Sequence, residues 1–204
     1  GELFRKDVVY IQDERQNVHQ GSPNEKLIKE DLVNLIKFMN NNAFPFLLKA
    51  AITHYYFEYV HPFYDGNGRM GRFILSSYLS KKLDKFTGVS ISNAIGANKQ
   101  KYLDAFIEVS HPRNRGEVTH FVKTLYELII EGQNKLIEDL IEYVARFNHS
   151  VNYLDTLENL DKTEKGVIYI YMQNHIFDEY TYINDTDVCE VSKLSRYKLK
   201  DALE

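Results

Sequence analysis

Residues 61–72 read His61-Pro62-Phe63-Tyr64-Asp65-Gly66-Asn67-Gly68-Arg69-Met70-Gly71-Arg72. This stretch holds the parts needed to grip a nucleotide polyphosphate and attack it. Imidazole has the unperturbed pKa best suited to a base near neutral pH, so His61 is the candidate proton acceptor. Asp65 offers a hard oxygen ligand of the kind Mg²⁺ prefers, normally completed by phosphate oxygens and water. Gly66 and Gly68 lack side chains, so backbone N–H groups around Asn67 can approach an anion closely. A helix starting at this turn adds its positive end. Arg69 and Arg72 are three residues apart, share one face of that helix and offer forked donors to phosphates.

Pro62 disfavours helical geometry at His61, which places His61 at the exit of a helix. That helix is strongly apolar, opens at Pro45 and runs to about Tyr59. An earlier helix ends at Asn40-Asn41-Asn42. It starts from Ser22-Pro23-Asn24-Glu25, read as a capping box, and carries Leu27, Ile28, Leu32, Leu35, Ile36 and Met39 on one face. Before it, Val8-Val9-Tyr10-Ile11 and Val18-His19-Gln20-Gly21 read as a hairpin around a polar turn from Asp13 to Asn17.

Downstream, Arg69 to about Lys82 is predicted helical. After a short loop, Asn98 to Val109 is helical again, and His111 to Gly116 is a loop. Glu117 to about Phe147 is a long amphipathic helix, or two, with Phe121, Leu125, Leu128, Leu136, Leu140 and Val144 inward and Gly132 as the candidate break. A boundary falls near Asn152 to Asp161. Thr163 caps a helix to Asn174, a short helix lies near Ile183 to Cys189, and a third covers Ser192 to Leu203. The last two, with Lys193, Arg196, Tyr197 and Lys198 on the second, resemble a helix-turn-helix. The expected architecture is mainly α, with a helical core and β-hairpin flap over 1–150. A helix-turn-helix or incomplete winged-helix segment follows over 161–204.

The chain has 204 residues, 26% of them charged, and a net charge of −4, which gives no global attraction to nucleic acid. Cys189 is the only cysteine, so no intrachain disulfide forms and a reducing, cytoplasmic setting is expected. No apolar run reaches membrane-spanning length and no signal peptide is seen. The start at Gly1 without methionine and the stop at Glu204 read as cuts in a longer protein.

The string at 61–72 resembles the signature of the Fic family, H-P-F-x-[DE]-G-N-G-R-x-x-R, at every specified position. Gly1 to Ile11 also resembles that family's hairpin segment. His54, Phe57 and Val60 match its helix before the motif, and Asn98 and Tyr102 match a later helix that reaches the nucleotide. The resemblance covers about residues 1–147. It implies a protein adenylyltransferase in which His61 deprotonates a Ser, Thr or Tyr hydroxyl on a target protein. Asp65 then holds Mg²⁺ on ATP, Gly66-Asn67-Gly68 forms an anion hole, and Arg69 and Arg72 hold phosphates. The target segment is expected to dock on the hairpin near Val8 to Val18.

Two further readings stay open. In the first, the chain is an enzyme of the resembled family that removes AMP or transfers another phosphate-containing group, although the intact Gly-Asn-Gly turn favours nucleotidyl transfer. Alternatively, the core senses nucleotide for a DNA-binding regulator. His54, Glu58 and His61 also have i, i+4, i+7 spacing suited to a metal, but His54 reads better as a core residue. The family's inhibitory [ST]-x-x-x-E-[GN] string is missing, since Glu127 and Leu154 fill the hydroxyl position before Glu131-Gly132 and Glu158-Asn159. Inhibition is then supplied by an upstream segment or a partner, or is lacking. A homo-oligomer is compatible with all of these.

Overall fold

The computed structural model describes residues 3–13, 16–178 and 181–203, with the backbone course alone for 11–13 and 16–18. Gly1 and Glu2 of the hairpin-like segment, and the tip of the turn at Glu14 and Arg15, lie outside the described residues. Strands β1 (Tyr10–Asp13) and β2 (Gln16–Gln20) pair antiparallel, with Tyr10 opposite Gln20 and Ile11 opposite His19. A register shift falls between Ile11 and Gln12.

Two compact units follow from the packing, residues 1–136 and 137–204. The first holds α1 (Glu25–Met39), α2 (Phe46–Val60), α3 (Asn67–Lys82), α4 (Lys85–Ala97), α5 (Lys99–Ser110), a 3₁₀ turn at Pro112–Asn114 and the first half of α6 (Thr119–Thr156). Helix α1 is capped by Asn24, whose side chain accepts from Leu27 N, and not by Ser22. Ser22 instead donates to Asp31 Oδ2 at 2.5 Å. Only Ile28 and Leu35 of the expected α1 face are fully buried. Leu27 and Ile36 are exposed.

Helix α2 is the central helix, buried on nearly every side, as its continuous apolar run requires. Its Ala51 and Tyr55 meet Leu75 and Leu79 of α3, Ile91 and Ile95 of α4, Phe106 of α5 and Phe121, Leu125 and Leu128 of α6 in one core. Lys49 is buried there too, and its Nζ donates to Met39 O and Asn41 O where α1 ends. A cation is favourable at that negative helix end.

Helix α4 occupies what reads in sequence as loop. Its residues, with Gly, Ser, Thr and Val, have poor helix propensity and no amphipathic stripe. Tertiary burial and the Asp84 cap, which accepts from Thr87 N, override that. Gly132 does not break α6. A Cβ there would sit 3.1 Å from both Ala94 Cβ and Ser90 O, so glycine lets α6 approach α4 closely.

The second unit comprises the rest of α6 with α7 (Lys162–Phe177), α8 (Asp185–Ser192) and α9 (Arg196–Asp201). Phe147 meets the rings of Tyr169 and Phe177, each at 5.4 Å. Val167, Val188 and Leu199, one from each short helix, form its buried centre. Helix α7 is capped by Asp161 in a capping box with Glu164, in place of Thr163, and α8 by Asn184 with Asp187. Leu140 and Val144 are about half exposed, unlike Phe121 to Leu128. Among the described residues, the core that α2 to α5 build against α6 takes in Phe121 to Ile129, and Gly132 and Gln133 still meet α4.

Candidate functional site

His61 is the C-cap of α2, with φ 52° and ψ 61°. Left-handed backbone costs a non-glycine residue about 1–2 kcal/mol, so neighbouring contacts must hold it. His61 N donates to Phe57 O at 3.0 Å, Ser22 N donates to Val60 O at 3.0 Å and Arg5 N donates to Pro62 O at 3.1 Å. Arg5 Nε donates to His61 O at 2.6 Å.

His61 Nδ1 lies 3.2 Å from the Glu58 carbonyl oxygen. A carbonyl only accepts, so Nδ1 carries the hydrogen and Nε2 keeps the lone pair. Half burial lowers the imidazole below the usual histidine range. The Glu58 carbonyl opposes this, while the nearby Arg5 and His19 add to it. The ring is therefore neutral near pH 7, with Nε2 able to take a proton.

The turn that follows is set by Gly66 at φ 86°, a conformation that favours glycine. The α3 ladder begins with Met70 N donating to Gly66 O at 2.9 Å. The N–H groups of Asn67, Gly68 and Arg69 lie ahead of it, at the positive end of a 16-residue helix. Asn67 is 2% exposed, and its side chain both accepts from Phe63 N and donates to Phe63 O. That amide is spent shaping the loop, so Asn67 has only its backbone to offer an anion. Arg69 is exposed. Arg72 is half-buried beside Gly68, where a Cβ would lie 3.3 Å from its Nη1.

Asp65 Oδ1 accepts from Gly66 N at 2.6 Å, and Oδ2 lies 3.4 Å from Arg69 Nη2. Its side chain is 93% exposed. No group of three or more His, Cys, Asp or Glu able to hold a metal occurs among the described residues. One exposed carboxylate suits Mg²⁺, which keeps several waters and uses one or two carboxylates plus substrate phosphates. The donor set therefore fits a metal arriving with a nucleotide. A cavity of about 460 Å³, lined by Phe63, Asp65, Gly66, Arg69, Met70 and Phe73, opens at this turn.

Beneath the loop lies a buried polar floor. His54 is 1% exposed and burial pushes it down to about 4. Its Nε2 is hydrogen-bonded to Tyr102 OH at 3.1 Å, so both side chains are committed to the core. Asn98 is the junction between α4 and α5, and its side chain donates to Ala94 O of α4 at 3.1 Å. Glu58 is 7% exposed, its Oε1 has no hydrogen-bond partner, and it abuts Gly71. Burial raises Glu58 to about 7, against a smaller opposing pull from Arg72. The sequence reading of His54 as a core residue agrees with its burial, whereas nothing in the spacing signals a buried Glu58 carboxyl. Apolar burial on one helix face explains both.

Glu58→Gln should expose this carboxyl's effect on stability. The folded-state pKa lies above the ordinary 4.5, so folding favours the protonated form. Its contribution is complete below about pH 4.5 and is lost as pH rises through about 7. The loss is on the order of 3 kcal/mol at ~1.4 kcal/mol per pH unit. In urea unfolding, the stability of Glu58→Gln relative to the unaltered chain should rise by that amount between pH 4.5 and 8. A difference that is flat with pH would contradict the buried carboxyl.

A base with a free lone pair, an open helix N-terminus and two arginines define the loop as a candidate phosphate-handling site on a helical scaffold. Residues 1–79 match the model of the Fic/DOC family. A probable protein adenylyltransferase of Aquifex aeolicus (strain VF5) is 34% identical over 77 residues, which is 38% of this chain and 21% of that protein. A crystal structure of a Fic family protein from Desulfovibrio desulfuricans G20 superimposes with a TM-score of 0.58 at 21% identity, over 97% of this chain and 53% of that one. The chain thus spans about a fifth of the curated relative and about half of the structural one. Residues 1–79 are similar to the Fic/DOC family, and the chain has the helical fold of the Fic structure.

Proposed function

We propose that this chain transfers AMP from ATP to a Ser, Thr or Tyr hydroxyl of a target protein. The observation that carries this is the His61 turn, which seats imidazole Nδ1 against the Glu58 carbonyl and runs directly into the open N-terminus of α3. The Fic/DOC match over the same residues and the named adenylyltransferase relative support it.

In this reading His61 Nε2 takes the proton of the target hydroxyl as its oxygen attacks the α-phosphorus. The bond from that phosphorus to the oxygen bridging to the β-phosphate breaks, and pyrophosphate leaves. The N–H groups of Asn67, Gly68 and Arg69, with the Arg69 and Arg72 guanidiniums, hold the phosphate oxygens. Mg²⁺, when bound with the nucleotide, neutralises phosphate charge, and Asp65 would hold it. Asn98 would contact the nucleotide from the α4–α5 junction, and Tyr102 would support the site through His54. The target segment would add to the hairpin near Val8 to Val18, with its hydroxyl toward His61. A reducing, cytoplasmic setting accords with the single cysteine and the use of ATP.

Intact mass of the purified chain and a protein substrate mixture, incubated with ATP and Mg²⁺, tests this. The expected result is a gain of one adenylyl group, abolished by a chelator. Reversible ATP binding with no covalent label would favour the nucleotide-sensing regulator instead.

A further inference from the structure

Arg5 is 1% exposed, and the partners seen for its guanidinium are backbone carbonyls. Nε donates to His61 O at 2.6 Å, Nη2 to Val60 O at 3.1 Å and Nη1 to Asp7 O at 2.6 Å. No carboxylate pairs with it among the described residues. Taking a guanidinium out of water without a counter-ion is costly, and an ordinary helix end needs nothing of the kind. Here the charge sits at the negative end of α2 and serves the two carbonyls that flank the left-handed turn. A planar fork is the donor geometry suited to two adjacent acceptors.

The other stem of the hairpin closes on the same point. Gly21 N donates to Val9 O at 3.1 Å, tying the two stems together. A Cβ on Gly21 would fall 2.5 Å from Arg5 Nη2, 3.0 Å from His61 Cβ and 3.0 Å from Val60 O. Tyr64, inside the 61–72 loop, reinforces the first stem. Its hydroxyl accepts from Lys6 N at 3.1 Å and donates to Asp7 Oδ2 at 3.0 Å.

We propose that Arg5, seated against Gly21, is a positioning residue that sets the backbone conformation of His61 and thereby aims its imidazole. The hairpin and the base are then one mechanical unit. A segment docking on the hairpin strains or relaxes the His61 turn through Arg5 and Gly21, so target binding and base alignment are coupled. The activity part of this inference rests on the proposed AMP transfer, whereas the geometric part does not.

The test uses Arg5→Lys and, as an independent perturbation, Gly21→Ala, with two readouts. The first is kcat and KM for ATP in AMP transfer. The second is the NMR spectrum and titration of the His61 imidazole, which needs no turnover. Lysine keeps the charge but loses the fork. Each variant, checked as folded by circular dichroism, should lower kcat about tenfold or more while KM for ATP changes less than about twofold. The His61 ring signals should shift in both. A folded variant with unchanged kcat and unchanged His61 signals overturns the proposal, as does a rise in KM with kcat intact, which would place Arg5 at the nucleotide. If Arg5→Lys does not fold, Gly21→Ala decides alone by the same criteria. If the unaltered chain transfers no AMP, the function proposed above fails. The imidazole signals then still decide whether Arg5 positions His61, a shift in the variants supporting it and none overturning it.

Discussion

His61→Ala is expected to bind ATP within a few-fold of the unaltered chain and to transfer AMP at least about a hundredfold more slowly. General-base assistance is realised only in the transition state, so its loss falls on kcat and leaves ground-state nucleotide binding alone. A hundredfold corresponds to roughly 2.7 kcal/mol of barrier. The phosphates are assigned to the α3 N-terminus, Arg69 and Arg72, none of which uses the imidazole. The acid limb of the pH–rate profile should also lie below the usual histidine range, because burial disfavours the protonated ring. Transfer is lost as pH falls through that lowered value and His61 Nε2 becomes occupied. Single-turnover rates across pH, alongside equilibrium ATP titration, measure both. A variant with turnover within a few-fold of the original would remove His61 from the role.

Phe121→Ala should destabilise the first unit by about 3–5 kcal/mol, the usual cost of emptying a buried aromatic site. Phe121 is 1% exposed. Its ring centroid lies 5.3 Å from that of Tyr55, 5.8 Å from Tyr102, 6.2 Å from Phe106 and 6.2 Å from His54. It therefore joins α6 to α2 and α5. Leucine at this position refills part of the volume and should cost less than alanine. Urea unfolding followed by tyrosine near-ultraviolet circular dichroism reports on this ring cluster. A loss below about 1 kcal/mol would mean that the α6 stripe is not the centre of the core, contrary to its burial.

Both predictions concern parts of the molecule that the sequence alone reaches. Within 61–72 the chemistry is local. A helix exit before proline, a glycine-dependent turn and a helix start with two arginines three residues apart are short-range patterns, and each has a direct backbone consequence. The helix order around that stretch, the hairpin and the α6 stripe from Phe121 to Leu128 are legible for the same reason. Periodicity and turn chemistry act over a few residues.

What only the tertiary structure decided depends on pairs far apart in the chain. Arg5 meets His61 across 56 positions, and no local pattern announces a buried guanidinium waiting for two carbonyls. Helix α4 has a sequence that argues against itself and forms because α3 and α6 bury it. Gly132 reads as a break and is instead a point of close approach to α4. Asn67 reads as part of an anion-binding turn, and only the fold shows that its side chain is spent on the Phe63 backbone. In each case a local signal lists what a residue can do, and packing against a distant segment selects which of those it does. The sequence by itself determined the chemical parts of the loop, and the long-range contacts of Arg5, Gly21 and the buried floor decided how those parts are held.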